Sequence, residues 1–244
     1  MKFYAYCLSD ELAFESIEGP KGLGDAGVRL LSLGNLSAVV SEFEGERAAV
    51  TRENLHAHNR VNAHVLARVT PLPFRFGTLA DEARLSAYVV SNEPALAEAL
   101  ARVRGSVEMG VKIRLVEGAP AAPEEASEEA GVKVEEASAV QEACGEGTAF
   151  LLAKRREILG EENSRARAER AASSLAVCVE GLARESDVRL NSLGPIVVRA
   201  SHLVAREDVS EYRARVRDLG ASLEGLQLLA SGPWPPYSFG LAHT

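Results

Sequence analysis

Three short apolar runs open the chain, at residues 3–8, 28–33 and 36–40. Each is too short for a helix and is bounded by turn-forming residues, the pattern of strands. Gly34 and Asn35 separate the second run from the third, so those two strands form a hairpin. The period then changes. Thr51 is a helix N-cap, and Leu55, His58, Asn62, Val65 and Val69 recur at spacings of three and four, which predicts a helix reaching about residue 68. Pro71 ends it, and residues 72–76 follow as an extended segment with Arg75 pointing away from Phe74 and Phe76. Asp81 opens a second helix, with an interruption expected at 92–94, where Pro94 falls, and an end near Gly105.

Strict alternation returns at 107–116, with Val107, Met109, Val111, Ile113 and Leu115 on one face. A long helical region is predicted over about 148–186, its buried stripe formed by Leu152, Leu159, Ala166, Leu175, Val179 and Leu182. Its length predicts a break near Gly160 or Asn163. Strands at 188–190 and 196–205, a helix at about 208–219 with Val209, Tyr212, Val216 and Leu219 on one face, and a strand at 226–229 complete the pattern. The order strand, helix, strand, strand, helix, strand is ferredoxin-like. The expected fold is therefore α+β with two domains: residues 1–105, and a ferredoxin-like domain at 106–244 with a Pro/aromatic tail at 231–244.

Charge changes this picture in one place. The net charge is −8, and residues 117–146 hold nine glutamates and one lysine, leaving 26 basic and 26 acidic side chains elsewhere. That segment has no Leu, Ile or aromatic residue, and it reads as a solvated insertion in the C-terminal domain. The remainder is neutral and lacks the basic face of a nucleic-acid binder. No apolar run approaches the ~20 residues of a membrane-spanning helix. The first residues do not form a signal peptide. Cys7, Cys144 and Cys178 are odd in number and widely spaced, which suits free thiols in the cytoplasm.

Candidate chemistry is sparse. His56, His58 and His64 are not spaced to share one helix face as metal ligands, and His58 reads as a hydrogen-bonded core histidine. The glycines of residues 19–27 do not join a strand to a helix as a dinucleotide loop would. Lys154, Arg155 and Arg156, with Arg165, Arg167 and Arg170 beyond, alternate with glutamates as a solvated helix face or a dock for an acidic partner. Arg75 either fixes the helix-to-strand junction through an internal ion pair or holds a carboxylate or phosphate of a ligand. No nucleophile–base set, P-loop or paired carboxylates stand out, so neither catalysis, a cofactor nor a small-molecule substrate is expected.

The end of the chain is its most distinctive stretch: Gly232-Pro233-Trp234-Pro235-Pro236-Tyr237-Ser238-Phe239. Three prolines fix φ and remove donors, so this strip is stiff and unsuited to a central strand. It either presents Trp234, Tyr237 and Phe239 to a partner or wraps back over its own domain. This ending, with Pro71-Leu72-Pro73-Phe74-Arg75-Phe76-Gly77-Thr78 and weaker echoes at residues 58–61, 110–113 and 147–151, resembles the gas vesicle GvpF/GvpL family. The resemblance implies a non-enzymatic accessory protein of gas vesicle formation, located in the cytoplasm and at the vesicle. It implies binding to the small, apolar shell protein and to other accessory proteins, with no membrane or nucleic acid involved. The protein-binding residues expected on that basis are Arg75, Phe76, Gly77, Pro233, Trp234, Pro235, Pro236, Tyr237 and Phe239. A small-molecule-binding or enzymatic ferredoxin-like protein is the alternative.

Overall fold

The computed structural model describes residues 1–12, 17, 19–116, 146–191 and 194–240; over 146–153 and 155–161 it describes the helix backbone alone. The acidic stretch at 117–145, Cys144, and the side chains of Leu152 and Leu159 lie outside the described residues.

The first sheet contains β1 (Phe3–Ser9), β2 (Val28–Leu33), β3 (Leu36–Glu42), β4 (Leu72–Pro73) and β5 (Leu79–Ala80). Its order is β2-β3-β1-β4, with β5 also on β1, and every pairing is antiparallel. Every residue of β1 is buried because helices cover both faces. Tyr4 and Tyr6 face α1 (Arg52–Leu66), packing with Ala57, Val61 and Val65. Phe3, Ala5 and Leu8 face α2 (Glu82–Val103), packing with Leu85, Leu96, Leu100 and Val103. Both helices begin where the caps predict: Thr51 accepts from the Asn54 amide, and Asp81 from the Arg84 amide. The expected interruption of α2 is absent. Pro94 is exposed, so the Val90 carbonyl that it leaves without a partner lies on the solvent side.

The second sheet has the order β7-β8-β6-β9, again antiparallel. Its strands are β6 (Ser106–Leu115), β7 (Ala183–Leu190), β8 (Ile196–Ala205) and β9 (Leu226–Trp234). Two helices, α3 (Glu146–Cys178) and α4 (Val209–Ser222), cover one face. They close over Val107, Met109, Val111 and Ile113 with Leu175, Val179, Leu182, Tyr212 and Val216. The chain is thus a mixed α+β fold with two antiparallel sheets.

Three expectations need correction here. First, α3 runs unbroken through Gly160 and Asn163. One interior glycine costs only about 1 kcal/mol, and no proline interrupts the ladder. Second, α3 stops at Cys178 rather than continuing to 186. Gly181, at φ +78°, supplies the left-handed turn, and β7 starts at Ala183. Third, the last strand does not end at residue 229 but runs on to Trp234. It lies at the sheet edge, where a proline's missing donor leaves no ladder bond unmade.

Gly232 makes that extension possible. Its φ is +112°, and a Cβ there would meet the Glu108 carbonyl oxygen at 2.8 Å. Gly232→Ala is therefore expected to destabilise the fold by about 2–4 kcal/mol, from backbone strain plus a clash with main chain. Urea denaturation measures this; an unchanged midpoint would contradict the close approach.

A tail clasp and an apolar groove

The Pro/aromatic ending is fastened back onto the body of the protein. Pro235 and Pro236 are buried, and the Tyr237 amide donates to the Pro235 carbonyl at 2.8 Å, turning the chain inward. The Tyr237 hydroxyl then reaches α1, 2.9 Å from Nε2 of His58. On the other side of the imidazole, Nδ1 lies 2.9 Å from the Tyr4 hydroxyl, which accepts from the Gly77 amide at 3.1 Å. Asn62 Nδ2 completes the cluster, 3.1 Å from His58 Nε2 and 3.3 Å from the Tyr237 hydroxyl.

The next residues are held as firmly. Ser238 donates through its amide (2.7 Å) and its hydroxyl (2.8 Å) to the carboxylate of the buried Glu108 on β6. Phe239, 5% exposed, enters the core shared by β1, α2 and Leu203 of β8. Arg102 of α2 donates to the Phe239 carbonyl at 2.5 Å and to that of Gly240 at 2.9 Å. The tail therefore ties β6 and β8 of the second sheet to α1 and α2 around the first.

Burial sets the charge state of the cluster. Desolvation lowers the pKa of His58 to about 4, so the ring is neutral at pH 7. The same cause pushes Tyr4 up to about 12 and raises Tyr237 well above the usual phenol range. His58 is thus the core histidine that its place on the apolar stripe predicts. His202 repeats the arrangement in the second sheet, its Nδ1 2.6 Å from the Tyr212 hydroxyl and its pKa lowered to about 4 by burial.

The expected binding residues separate into two groups. Phe76, Gly77, Pro235, Pro236, Tyr237 and Phe239 are used inside the protein: Phe76 packs edge-on to Tyr4 and His58. Phe74 and Phe76 do not share a face. The strand ends at Pro73, and a turn closed by Thr78 donating to the Arg75 carbonyl sends Phe74 toward α2 and Phe76 toward α1. Arg75, Pro233 and Trp234 are exposed, Trp234 by 42%. The Arg75 side chain forms no ion pair among the described residues, so it does not pin the junction electrostatically.

Beside the clasp lies a groove of about 400 Å³. Leu8, Leu72, Leu85 and Leu96 line it with the tilted ring pair of Phe74 and Tyr88, and Tyr237 and Gly240 close the end nearest the tail. Arg75 and Arg84 stand among its lining residues, and among the described residues no carboxylate does. Sequence reasoning singled out Arg75 but missed Arg84 and Tyr88, whose helical spacing says only that they share a face of α2. The described residues contain no cluster of three or more His, Cys, Asp or Glu side chains able to hold a metal ion. No described helix is long and apolar enough to cross a membrane.

A fold of two antiparallel sheets of this kind has known counterparts. Superposition on the crystal structure of the gas vesicle protein GvpF from Anabaena sp. PCC7120 gives a TM-score of 0.76, with 99% of both chains covered at 18% identity. GvpF from Microcystis aeruginosa gives 0.73 at 17% identity, again over 99% of both chains. In sequence, the chain is 29% identical to gas vesicle protein L of a Streptomyces species, covering 97% of this chain and 91% of that protein. It is 27% identical to gas vesicle protein L2 of Halobacterium salinarum, over 97% and 90%. Residues 2–240 match the family described as gas vesicle synthesis protein GvpL/GvpF. The chain belongs to that family.

Two predictions follow from the clasp geometry. Tyr237→Phe leaves His58 and Asn62 short of a buried partner and should cost about 1–3 kcal/mol in urea denaturation; no loss would mean that the hydroxyl is idle. The pH dependence has a definite sign. His58 and His202 bind a proton less readily in the folded state than their ordinary value near 6.5, so their contribution is complete above pH 6.5 and lost as pH falls toward 4. Each should remove roughly 2 kcal/mol between pH 7 and pH 5. His58→Gln should flatten that slope; stability independent of pH over this range would contradict the burial of neutral rings.

Proposed function

We propose that the protein is a cytoplasmic, non-enzymatic accessory factor that captures the apolar gas vesicle shell subunit, and engages other gas vesicle accessory proteins, during nucleation or assembly of the vesicle. On this reading it consists of an N-terminal α+β domain and a ferredoxin-like C-terminal domain. The supporting observation is the apolar groove beside the clasp. Its rings and leucines offer a surface on which an aggregation-prone apolar segment can be desolvated. Arg75 and Arg84 supply polar anchors next to that surface, and their methylene stems extend it. Because Tyr237 and Gly240 are already held, the groove is largely pre-formed, and little ordering entropy is lost on binding. Trp234, exposed at the edge of the second sheet, is a second contact suited to another accessory protein.

The test uses substitutions at exposed positions, so that the fold survives. The double variant Arg75→Glu/Arg84→Glu should keep wild-type thermal unfolding and lose capture of the purified shell subunit by at least about tenfold, 1.4 kcal/mol. Full capture by that variant would move the contact away from the groove.

A further inference from the structure

Beyond the docked tail, the face of the second sheet opposite α3 and α4 is open, and its charges are arranged against the interests of folding. Arg189 on β7 lies directly opposite Arg199 on β8, and Arg199 directly opposite Lys112 on β6. Three cations thus form one row across three neighbouring strands. Arg114 follows two positions along β6 on the same face, where Nε donates to the neutral Gln227 side chain at 2.5 Å. All four are exposed. Like charges directly opposite in a sheet are destabilising, with side chains about 4.5–5.5 Å apart at Cβ.

The acidic side chains described on this face relieve the row at one end only. Glu185 pairs with Arg102 of α2, and Glu108 is occupied by Ser238. Asp187 is bonded to Arg189 at 2.8 Å, at one end of the row. Lys112 and Arg199 form no ion pair among the described residues. Leu229 of β9, directly opposite Lys112 and 44% exposed, adds an apolar flank.

We propose that this face, separate from the groove, binds a short glutamate- or aspartate-rich stretch of a partner polypeptide. Carboxylates supply the charge that the row lacks, and an apolar side chain beside them meets Leu229. A nucleic acid fits less well. The face offers four cations, fewer than the roughly six to ten phosphate contacts of a protein whose nucleic-acid affinity is strongly salt-dependent.

The test is fluorescence anisotropy of a labelled oligo-glutamate peptide against the full chain at low and physiological salt. Binding should weaken with salt and fall at least about tenfold in the Lys112→Ser/Arg199→Thr variant, as expected for lost charge-assisted contacts. That variant should unfold at the same or a higher temperature, because it relieves repulsion. Unchanged peptide affinity would overturn the proposal, as would a lowered unfolding temperature, which would make the row structural. Tighter binding of a single-stranded oligonucleotide of equal charge would also overturn it. Binding that appears only after the glutamates of residues 117–146 are replaced by glutamine would assign the face to the chain's own acidic stretch and overturn the partner.

Discussion

The Tyr237 hydroxyl stands 2.9 Å from the imidazole of a histidine 179 residues earlier in the chain, and the arrangement of the two sheets depends on that contact. The neutral ring buried between Tyr4 and Tyr237 keeps its full set of partners only while the tail is in place; without Tyr237, Nε2 is left with Asn62 alone, at a cost in desolvated polar surface. Tyr237 in turn sets Ser238 against Glu108 and Phe239 into the core beneath α2. Losing one member loosens the others, which makes the ending a fastening between sheets rather than a free peptide. The prolines contribute by limiting the conformations of the unfolded tail, so less entropy is lost when it docks.

Much of the fold can be read from the chain, and what cannot has identifiable physical causes. Alternation at Val107, Met109, Val111 and Ile113 marks β6 because the helices take its apolar face, while the other face carries polar residues, buried at Ser106 and Glu108 and wet at Lys112 and Arg114. Thr51 and Asp81 mark helix starts because capping is local. By contrast, β7 (sequence ARESDVRL) is an edge strand with little buried on either side, and it reads as a continuation of α3 unless the turn at Gly181 is recognised. The double use of residues 74–78, sending one phenylalanine to each core, depends on a turn that breaks the alternation. His58 was legible as a core histidine from its position on an apolar stripe. Its partner was not, because only tertiary structure brings Tyr237 to it.

The same distinction applies to the surface. A Pro/aromatic ending with three rings suits either a ligand-presenting strip or a tail wrapped back over the protein; Phe239 is buried, Tyr237 is half-buried against His58, and Trp234 is exposed. The proposed binding surface is the groove that the docked tail helps to shape: Leu85, Tyr88 and Phe74 with two arginines beside them, and Tyr237 and Gly240 at one end. Membership of the GvpL/GvpF family connects the chain, though not by itself this surface, to gas vesicle synthesis. On the reading proposed above, the groove's apolar lining suits the apolar shell subunit as occupant.

Hydrogen–deuterium exchange of the protein, alone and with the shell subunit, tests the whole account most directly. With the tail a built-in fastening and the groove the contact surface, the amides of Tyr237, Ser238 and Phe239 are already protected in the free protein, as strongly as those of β1. Adding the subunit then slows exchange across 72–96 and leaves the tail unchanged. A tail that exchanges freely in the isolated protein and becomes protected only with the subunit would contradict it, and would return the Pro/aromatic ending to the role of ligand.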